Sequence, residues 1–450
     1  YGYLTPDTGT PLTGNGDFTK VSIGHNHSLA LKGNKELYAS GNNGSYSFGV
    51  SFPANSHSYM KVMDDVIDIL AVGQKSYALK SNGEIWEAGA SYGEGRKVWT
   101  LGTSGVSKLL SGVDKGGTVR HIMMALKSDG TVICKNITYS SVWSASYCGK
   151  NLTDIVSADV RNNNGTMFVV QTDGTVLYKQ SYTSTPTPYI QLSNVREVKT
   201  SPNGDNFFIT KDNKLFVVGA NTNSTMGIGS TSSIPEPIEI FNDVKDIQII
   251  KNLSLNTAGH SAFVVRNDKT LWTAGINTGH FGNGTTTDQP VWKQVLNQVE
   301  SVSIERGNNA IAIRNNGTLW FSGANASGLA GLNYAISTNT WTPVTPDSIS
   351  KLTISKGDFS NKINLSWGNL FTNSDVEIYR SEGLKGIKSL IGNSSTNSFD
   401  DTTDLIKGIL YGYEIKKSGI TLFSGYGYLT PDTGTPLTGN GDFTKVSIGH

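Results

Sequence analysis

At 450 residues the chain is longer than one ordinary hydrophobic core, so we expect two domains or one large repeat domain. Its 37 basic and 36 acidic side chains nearly cancel, which argues against binding to nucleic acid or to an anionic membrane surface. No stretch approaches the roughly 20 consecutive apolar residues that cross a bilayer, so membrane insertion is not expected.

Residues 18–347 contain seven copies of one hairpin motif, beginning with VSIGHNHSLALKGNKELYASG. Each copy has two short apolar strands around a turn that is often Asn-Gly or Asp-Gly, a strong signal for a β-hairpin. One column of the repeat holds Tyr38, Trp86, Ile133, Leu177, Phe216, Trp272 and Trp320, which spread 282 residues over six steps. Three positions later stand Gly41, Gly89, Gly219, Gly275 and Gly323. We interpret these recurring aromatic residues and glycines as structural positions.

A unit of this size cannot bury its own core, whereas seven units arranged radially can. The sequence therefore predicts a seven-bladed β-propeller. The first copy, with GHNHSLALK followed by LYASGNNGSYSFG, resembles the regulator-of-chromosome-condensation repeat, a family known for seven blades. Copies one, two, six and seven fit the repeat well, and copies three to five are degenerate. The family's best-known member is an exchange factor for a small GTPase, but this chain lacks the charge asymmetry expected of a nucleosome-bound protein.

Cys134 and Cys148 lie 14 residues apart on either side of a stretch that could turn back on itself near Tyr139. Such a hairpin would bring the two sulfurs together, so the pair is either a disulfide or two ordinary half-buried thiols. With two cysteines and no histidine nearby in sequence, a metal site is not expected.

Residues 348–429 break the repeat and carry strands of five to eight residues separated by turn signals, which predicts a β-sandwich. The segment resembles a fibronectin type III module. That resemblance implies that Trp367 is a core tryptophan and that Leu405, Gly408 and Tyr411 form a tyrosine corner. The nearby Asp400, Asp401 and Asp404 are interpreted as turn caps rather than calcium ligands.

Residues 1–25 recur unchanged as residues 426–450. We interpret residues 1–17 as the end of a preceding sandwich plus a linker, and residues 430–450 as a linker plus the first strand of a next propeller. The chain would then be a window on a tandem array with a unit of 425 residues, the offset between Tyr1 and Tyr426. The alternative is an overlap introduced at the ends. Whether the strand from Phe18 to Gly24 belongs to the first or the last blade stays open.

No catalytic motif, metal-ligand spacing or cofactor loop stands out, so an enzyme is not expected and no cofactor is predicted. His27 and His260 each precede a serine and are interpreted as structural. Four tryptophans in the variable part of the repeats are the candidates for a surface that binds a cell-surface or glycan ligand: Trp99, Trp143, Trp292 and Trp341.

These patterns favour a structural or adhesive repeat unit of an extracellular filament or giant surface protein that self-associates. The alternative is a receptor- or glycan-binding head of a phage or bacterial surface protein. Both hypotheses place the chain outside the cell or at its surface.

Overall fold

The computed structural model describes residues 16–49, 55–91, 94–114, 121–136, 142–145, 148, 152–161, 166–181, 184–189, 191–250, 260–305, 308–332, 337–344, 353–366, 376–383, 386–396, 398–417 and 420–430. The chain divides into two compact units, Tyr1–Val344 and Thr345–His450. Within the described ranges every regular element is a β-strand, which confirms the predicted all-β class. No helix in this part of the chain is long and apolar enough to span a membrane.

In the residues that the structure describes, the first unit has seven antiparallel sheets, each built from consecutive strands and numbered here in chain order. Sheet 1 comprises β1 (Phe18–Ile23), β2 (His27–Lys32), β3 (Leu37–Asn42) and β4 (Asn55–Met63). Sheet 2 comprises β5 (Val66–Val72), β6 (Lys75–Lys80), β7 (Ile85–Ser91) and β8 (Glu94–Thr103). Sheet 3 comprises β9 (Val106–Asp114), β10 (His121–Lys127) and β11 (Val132–Asn136). Sheet 4 comprises β12 (Ile155–Val160), β13 (Met167–Gln171), β14 (Val176–Lys179) and β15 (Thr187–Pro188).

The remaining three sheets of this unit each have four strands. Sheet 5 comprises β16 (Val195–Thr200), β17 (Asn206–Thr210), β18 (Leu215–Gly219) and β19 (Ile234–Phe241). Sheet 6 comprises β20 (Val244–Ile249), β21 (Ser261–Arg266), β22 (Leu271–Gly275) and β23 (Gln289–Leu296). Sheet 7 comprises β24 (Val299–Glu305), β25 (Asn309–Arg314), β26 (Leu319–Gly323) and β27 (Thr338–Pro343).

The first strands of the sheets, β1, β5, β9, β12, β16, β20 and β24, contact one another in that order, and β24 contacts β1. A closed ring of antiparallel sheets with one inner strand each is a β-propeller. Strand β1 pairs with β2 of its own sheet, and sheet 7 is complete with β24 to β27. Sheets 1 and 7 therefore meet without sharing a strand, which answers the question of where the strand from Phe18 belongs.

The chain enters and leaves the propeller beside one turn of sheet 7. The amide of Phe18 donates to the carbonyl of Gly317 at 3.2 Å. The amide of Val344 donates to the carbonyl of Leu319 at 2.8 Å. The two ends of the ring thus share one hairpin, between β25 and β26.

The glycine column stands at or near the end of the third strand of its sheets, where no side chain fits. Gly41 has φ +109°, and a Cβ on it would lie 2.4 Å from the carbonyl oxygen of Asn26. The aromatic column is less deeply buried than the repeat predicts: Tyr38 is buried, but Trp86 and Trp320 are half-buried. In each case the polar edge of the ring donates to the side chain two residues earlier, as Trp86 does to Glu84 at 3.0 Å.

In its described residues the second unit has a three-stranded and a four-stranded sheet, with strand orders β28-β29-β32 and β31-β30-β33-β34. The strands are β28 (Thr353–Ile354), β29 (Ile363–Ser366), β30 (Val376–Glu382), β31 (Ser389–Ser394), β32 (Ser398–Asp401), β33 (Tyr411–Lys417) and β34 (Ile420–Gly427). Apolar side chains from both sheets, including Leu365 and Ile378, form one core. Trp367 lies outside the described residues.

Candidate functional site

The axis of the propeller holds a cavity of about 380 Å³ lined by residues from all seven inner strands. Each inner strand stands at the end of its sheet. Among the described residues, its edge toward the cavity is paired with no other strand. Its amides need other acceptors, because an unpaired buried N–H is costly.

Side chains of neighbouring inner strands supply many of these acceptors. Five bonds run from an inner-strand amide to a side chain of the neighbouring sheet: Ala71 to Ser22 (2.9 Å), Leu109 to Asp68 (3.0 Å), Val198 to Ser157 (3.4 Å), Thr200 to Asp159 (2.8 Å) and Ile23 to Ser303 (3.1 Å). Polar residues on the inner strands therefore have a structural role, since their hydrogen bonds connect adjacent sheets around the cavity.

Three charged residues that line the cavity, Asp159, Lys199 and Asp246, lie on sheets 4, 5 and 6, and Lys20 of sheet 1 is a fourth. Lys199 lies 3.3 Å from Glu197, with Asp159 and Asp246 also close. Desolvation in the channel opposes the charge of Lys199, but the three carboxylates outweigh it and raise its pKa. Desolvation and the Glu197 carboxylate raise the pKa of Asp246 to about 6. The ammonium of Lys199 already neutralises part of this acidic cluster, and no set of metal-ligating side chains is found among the described residues.

The four tryptophans predicted as candidates for a ligand surface pack between neighbouring sheets. Trp99, Trp143 and Trp341 are at most 9% exposed, and Trp292 is half-buried. Trp99, Trp292 and Trp341 stand on outer strands, where they cover positive-φ glycines of the preceding sheet. We name these contacts glycine–aromatic locks; they pair Gly49 with Trp99, Gly227 with Trp292, Gly282 with Trp341 and, across the closing interface, Gly331 with Tyr59.

Each loop that presents a lock glycine is folded around a buried asparagine. The side-chain oxygen of Asn43, Asn221, Asn277 and Asn325 accepts an amide four or five residues later in the chain. The lock glycine follows that amide by one residue, so the asparagine positions the glycine under the ring. Sequence reasoning missed this motif in sheet 5, whose hairpin looked degenerate although its loop is complete.

The interface between sheets 2 and 3 is built differently. Near it, Cys134 of β11 and Cys148 form a disulfide with their Cα atoms 5.5 Å apart, and both cysteines pack with residues of sheet 4 such as Ile155. Beside it, Lys135 Nζ lies 2.6 Å from Glu87 Oε2, and both side chains are fully buried. Trp143 donates its indole N–H to Glu87 Oε1 at 2.7 Å. This cluster is a structural centre, since each charged group in it has a partner.

The structure shows partners for the aspartates of the second unit and positions for two histidines of the first. Asp400 forms an ion pair with Lys362, and Asp401 forms one with Arg380, each at 2.9 Å. The two histidines are not equivalent, because His27 pairs with Gly41 whereas Ser261, and not His260, pairs with Gly275. The His27 Nε2 atom and the Ser76 Oγ atom form a hydrogen bond of 2.9 Å between sheets 1 and 2.

The repeated end segment has ordered parts in both units. In the second copy, Gly427 pairs with Tyr411 in β34, and Leu429 is 3% exposed in the sandwich core. In the first copy, β1 is the innermost strand of sheet 1, with Phe18 and Ile23 buried. One 25-residue sequence thus contains residues that complete a sandwich and residues that begin a propeller.

Comparison with known proteins gives one sequence match and several structural ones. The family model of the regulator of chromosome condensation (RCC1) repeat matches residues 18–47, which confirms the RCC1-like repeat in sheet 1. No curated protein sequence matches the chain.

Among solved structures, yeast RCC1 (Prp20) bound to Kap60 is similar at 17% identity and a TM-score of 0.42, over 75% of this chain and 77% of that one. Human WBSCR16 is similar at 13% identity and a TM-score of 0.41, over 76% and 85%. YCF48 bound to a D1 peptide is similar at 10% identity and a TM-score of 0.43, over 71% and 97%.

Proposed function

We propose that the chain is a non-catalytic repeat unit of an extracellular filament or giant surface protein, in which seven-bladed propellers alternate with fibronectin type III-like sandwiches. The observation that carries the proposal is the repeated 25-residue segment. Its residues Tyr426–Leu429 complete a sandwich. Residues Phe18–His25, which have the same sequence as Phe443–His450, begin a propeller. In an array, one such segment would run from the last strand of a sandwich, through TPDTGTPLTGNGD, to the first strand of the next propeller.

The construction of the propeller supports a bead-like unit. Seven sheets and a closed ring of inner strands favour seven blades, and each sheet is made of consecutive strands. No blade needs a strand from another part of the chain, so each propeller can fold within its own stretch of an array. Copies can then follow one another without exchanging strands.

The second unit supports the assignment of a fibronectin type III-like link. Its strand orders are those of that module, with three strands facing four. Tyr411 also has the contacts of a tyrosine corner: its hydroxyl accepts the amide of Ile406 at 2.9 Å and donates to the carbonyl of Asp404 at 3.4 Å. Gly408 between them has φ +82°.

The size of the native polypeptide tests the proposal. An antibody against this chain, used on a denaturing gel of the source material, should detect species far above 48.2 kDa. A single species near that mass would contradict the array. The receptor- or glycan-binding head would then become the leading hypothesis, and a glycan array would be the next experiment.

Tryptic peptides give a sharper version of the same test. In an array, cleavage yields Ser418–Lys445 and Val21–Lys32 as continuous peptides. A chain with free ends contains both of these peptides as well, and it would in addition yield Tyr1–Lys20 and Val446–His450. The array predicts that the two end peptides are at most trace species relative to the continuous ones, and comparable amounts would overturn it.

A further inference from the structure

Sheet 3 differs from the other six sheets of the propeller. In the part of the chain that the structure describes, it has three strands where the others have four. Beyond its last strand, β11, the described residues 142–145 and 148 run alongside. This short segment, named here the staple segment, lies where the other sheets have an outer strand.

Two connections hold the staple segment to β11. Cys134 and Ser144 form an isolated antiparallel bridge, with amide-to-carbonyl distances of 3.0 and 2.9 Å. The Cys134–Cys148 disulfide closes the same contact covalently, and both cysteines are fully buried. A single bridge is a weak attachment, because isolated pairs of strands are marginally stable in water.

The staple segment supplies a group that the neighbouring interface needs. Trp143 extends from it to Glu87 of sheet 2 and packs edge-on against Tyr77, with ring centroids 6.2 Å apart. Glu87 is at the same time the partner of Lys135 in β11. A buried ion pair is tolerated when its remaining atoms are hydrogen-bonded and water is kept away, and Trp143 does both.

We propose that the disulfide is a redox-dependent staple that completes sheet 3 and its interface with sheet 2. Closing it removes one proton and one electron from each thiol, and a small disulfide such as oxidised glutathione takes up the two electrons and leaves as two thiols. When the bond is open, the staple segment leaves β11, Trp143 leaves Glu87, and water reaches the ion pair. The inference holds for a single unit and does not depend on the proposed array.

Hydrogen–deuterium exchange on the full chain tests the staple. After reduction with tris(2-carboxyethyl)phosphine, amides of β11 and of residues 142–145 should exchange at least tenfold faster, while β21 and β25 should not change. Thiol alkylation and intact mass show that the bond was opened. Unchanged exchange in β11 with both thiols alkylated would overturn the proposal.

Tryptophan fluorescence provides a second readout. The emission of Trp143, isolated by subtracting the Trp143→Phe variant, should shift to longer wavelength on reduction because the ring becomes exposed. The Cys134→Ser/Cys148→Ser variant should show the same emission without reductant. If that variant does not fold, refolding of the unmodified chain with and without oxidised glutathione decides: equal yield and equal β11 exchange would refute the staple.

Discussion

Two regions of the propeller join their sheets by different means. Sheets 5, 6, 7, 1 and 2 are joined through the glycine–aromatic locks, whose glycines are held by buried asparagines. Sheets 2 and 3 are joined by a buried ion pair and by a tryptophan whose segment is tied to β11 by a disulfide. The glycine–aromatic locks recur with the repeat and depend on close packing of a ring over a glycine. The interface between sheets 2 and 3 depends on a buried ion pair and on a segment held by a covalent bond. A repeat architecture can therefore lose its own interface motif at one place when other residues replace it.

The largest effect is expected from filling a lock. Gly282→Val should lower the free energy of unfolding by about 5 kcal/mol, roughly 2 from the left-handed backbone and up to about 3 from overpacking. A Cβ there would lie 2.4 Å from Trp341 Cδ1, with φ +71°. Gly284→Val is the matched control, since its φ is +80° but its nearest neighbour is 3.9 Å away. Equal losses for the two variants, measured by urea unfolding, would show that the ring contact is unimportant.

Breaking the buried pair should have the next largest effect. Glu87→Gln leaves the Lys135 ammonium buried without a counter-charge, so we expect a loss of about 3–5 kcal/mol. Glu239→Gln removes a partner from the exposed pair Lys214–Glu239, whose side chains are 41% and 40% exposed, and should cost at most about 1 kcal/mol. If both variants unfold at the same denaturant concentration, charge does not hold the interface between sheets 2 and 3.

Removal of the disulfide should cost about 3 kcal/mol, the value expected for a loop of this size. The Cys134→Ser/Cys148→Ser variant measured by chemical denaturation checks it, with the reduced and alkylated chain as a second form of the same change. A loss below about 1 kcal/mol would mean that non-covalent contacts alone hold the staple segment.

A smaller effect, dependent on pH, is expected in the locked region. Burial lowers the pKa of His27 to about 3. The unfolded chain therefore binds more protons than the folded one between about pH 6.5 and 3, and stability falls as the pH falls. From pH 6.5 to 5 this histidine should cost about 2 kcal/mol.

The His27→Asn variant isolates this contribution. Asp246, whose pKa is raised to about 6, acts in the opposite sense and loses its contribution as the pH rises through 6. The difference between the unmodified chain and the variant cancels that term, because Asp246 is the same in both. A difference that stays constant from pH 7 to 5 would contradict a neutral buried His27.

The hairpins and the glycine column could be predicted because they follow from local chemistry. A type I′ turn needs positive φ, and a glycine is required where a neighbouring carbonyl leaves no room for a side chain, as at Gly41. The repeat spacing is then enough to place the strands and to indicate a propeller.

The interfaces could not be predicted in the same way, since they depend on residues of adjacent sheets far apart in sequence. Trp99 and Trp341 lie in the variable part of the repeats, which makes them candidates for a ligand-facing surface, whereas each ring lies over a glycine 50 or 59 residues earlier. Glu87 occupies a position that is Ala39, Thr273 or Phe321 in other sheets, where nothing local indicates a buried charge. Its partner Lys135 is equally ordinary in sequence, and only the fold brings the two together.

The shared turn at which the chain enters and leaves the propeller has a mechanical consequence. In a string of such units, tension would pass from β1 to β27 across the residues around Gly317 and Leu319. The five remaining sheets, sheets 2 to 6, would lie outside the line of force and bear little of it. Such a string would extend first at its sandwiches and linkers, while its propellers stay folded under load.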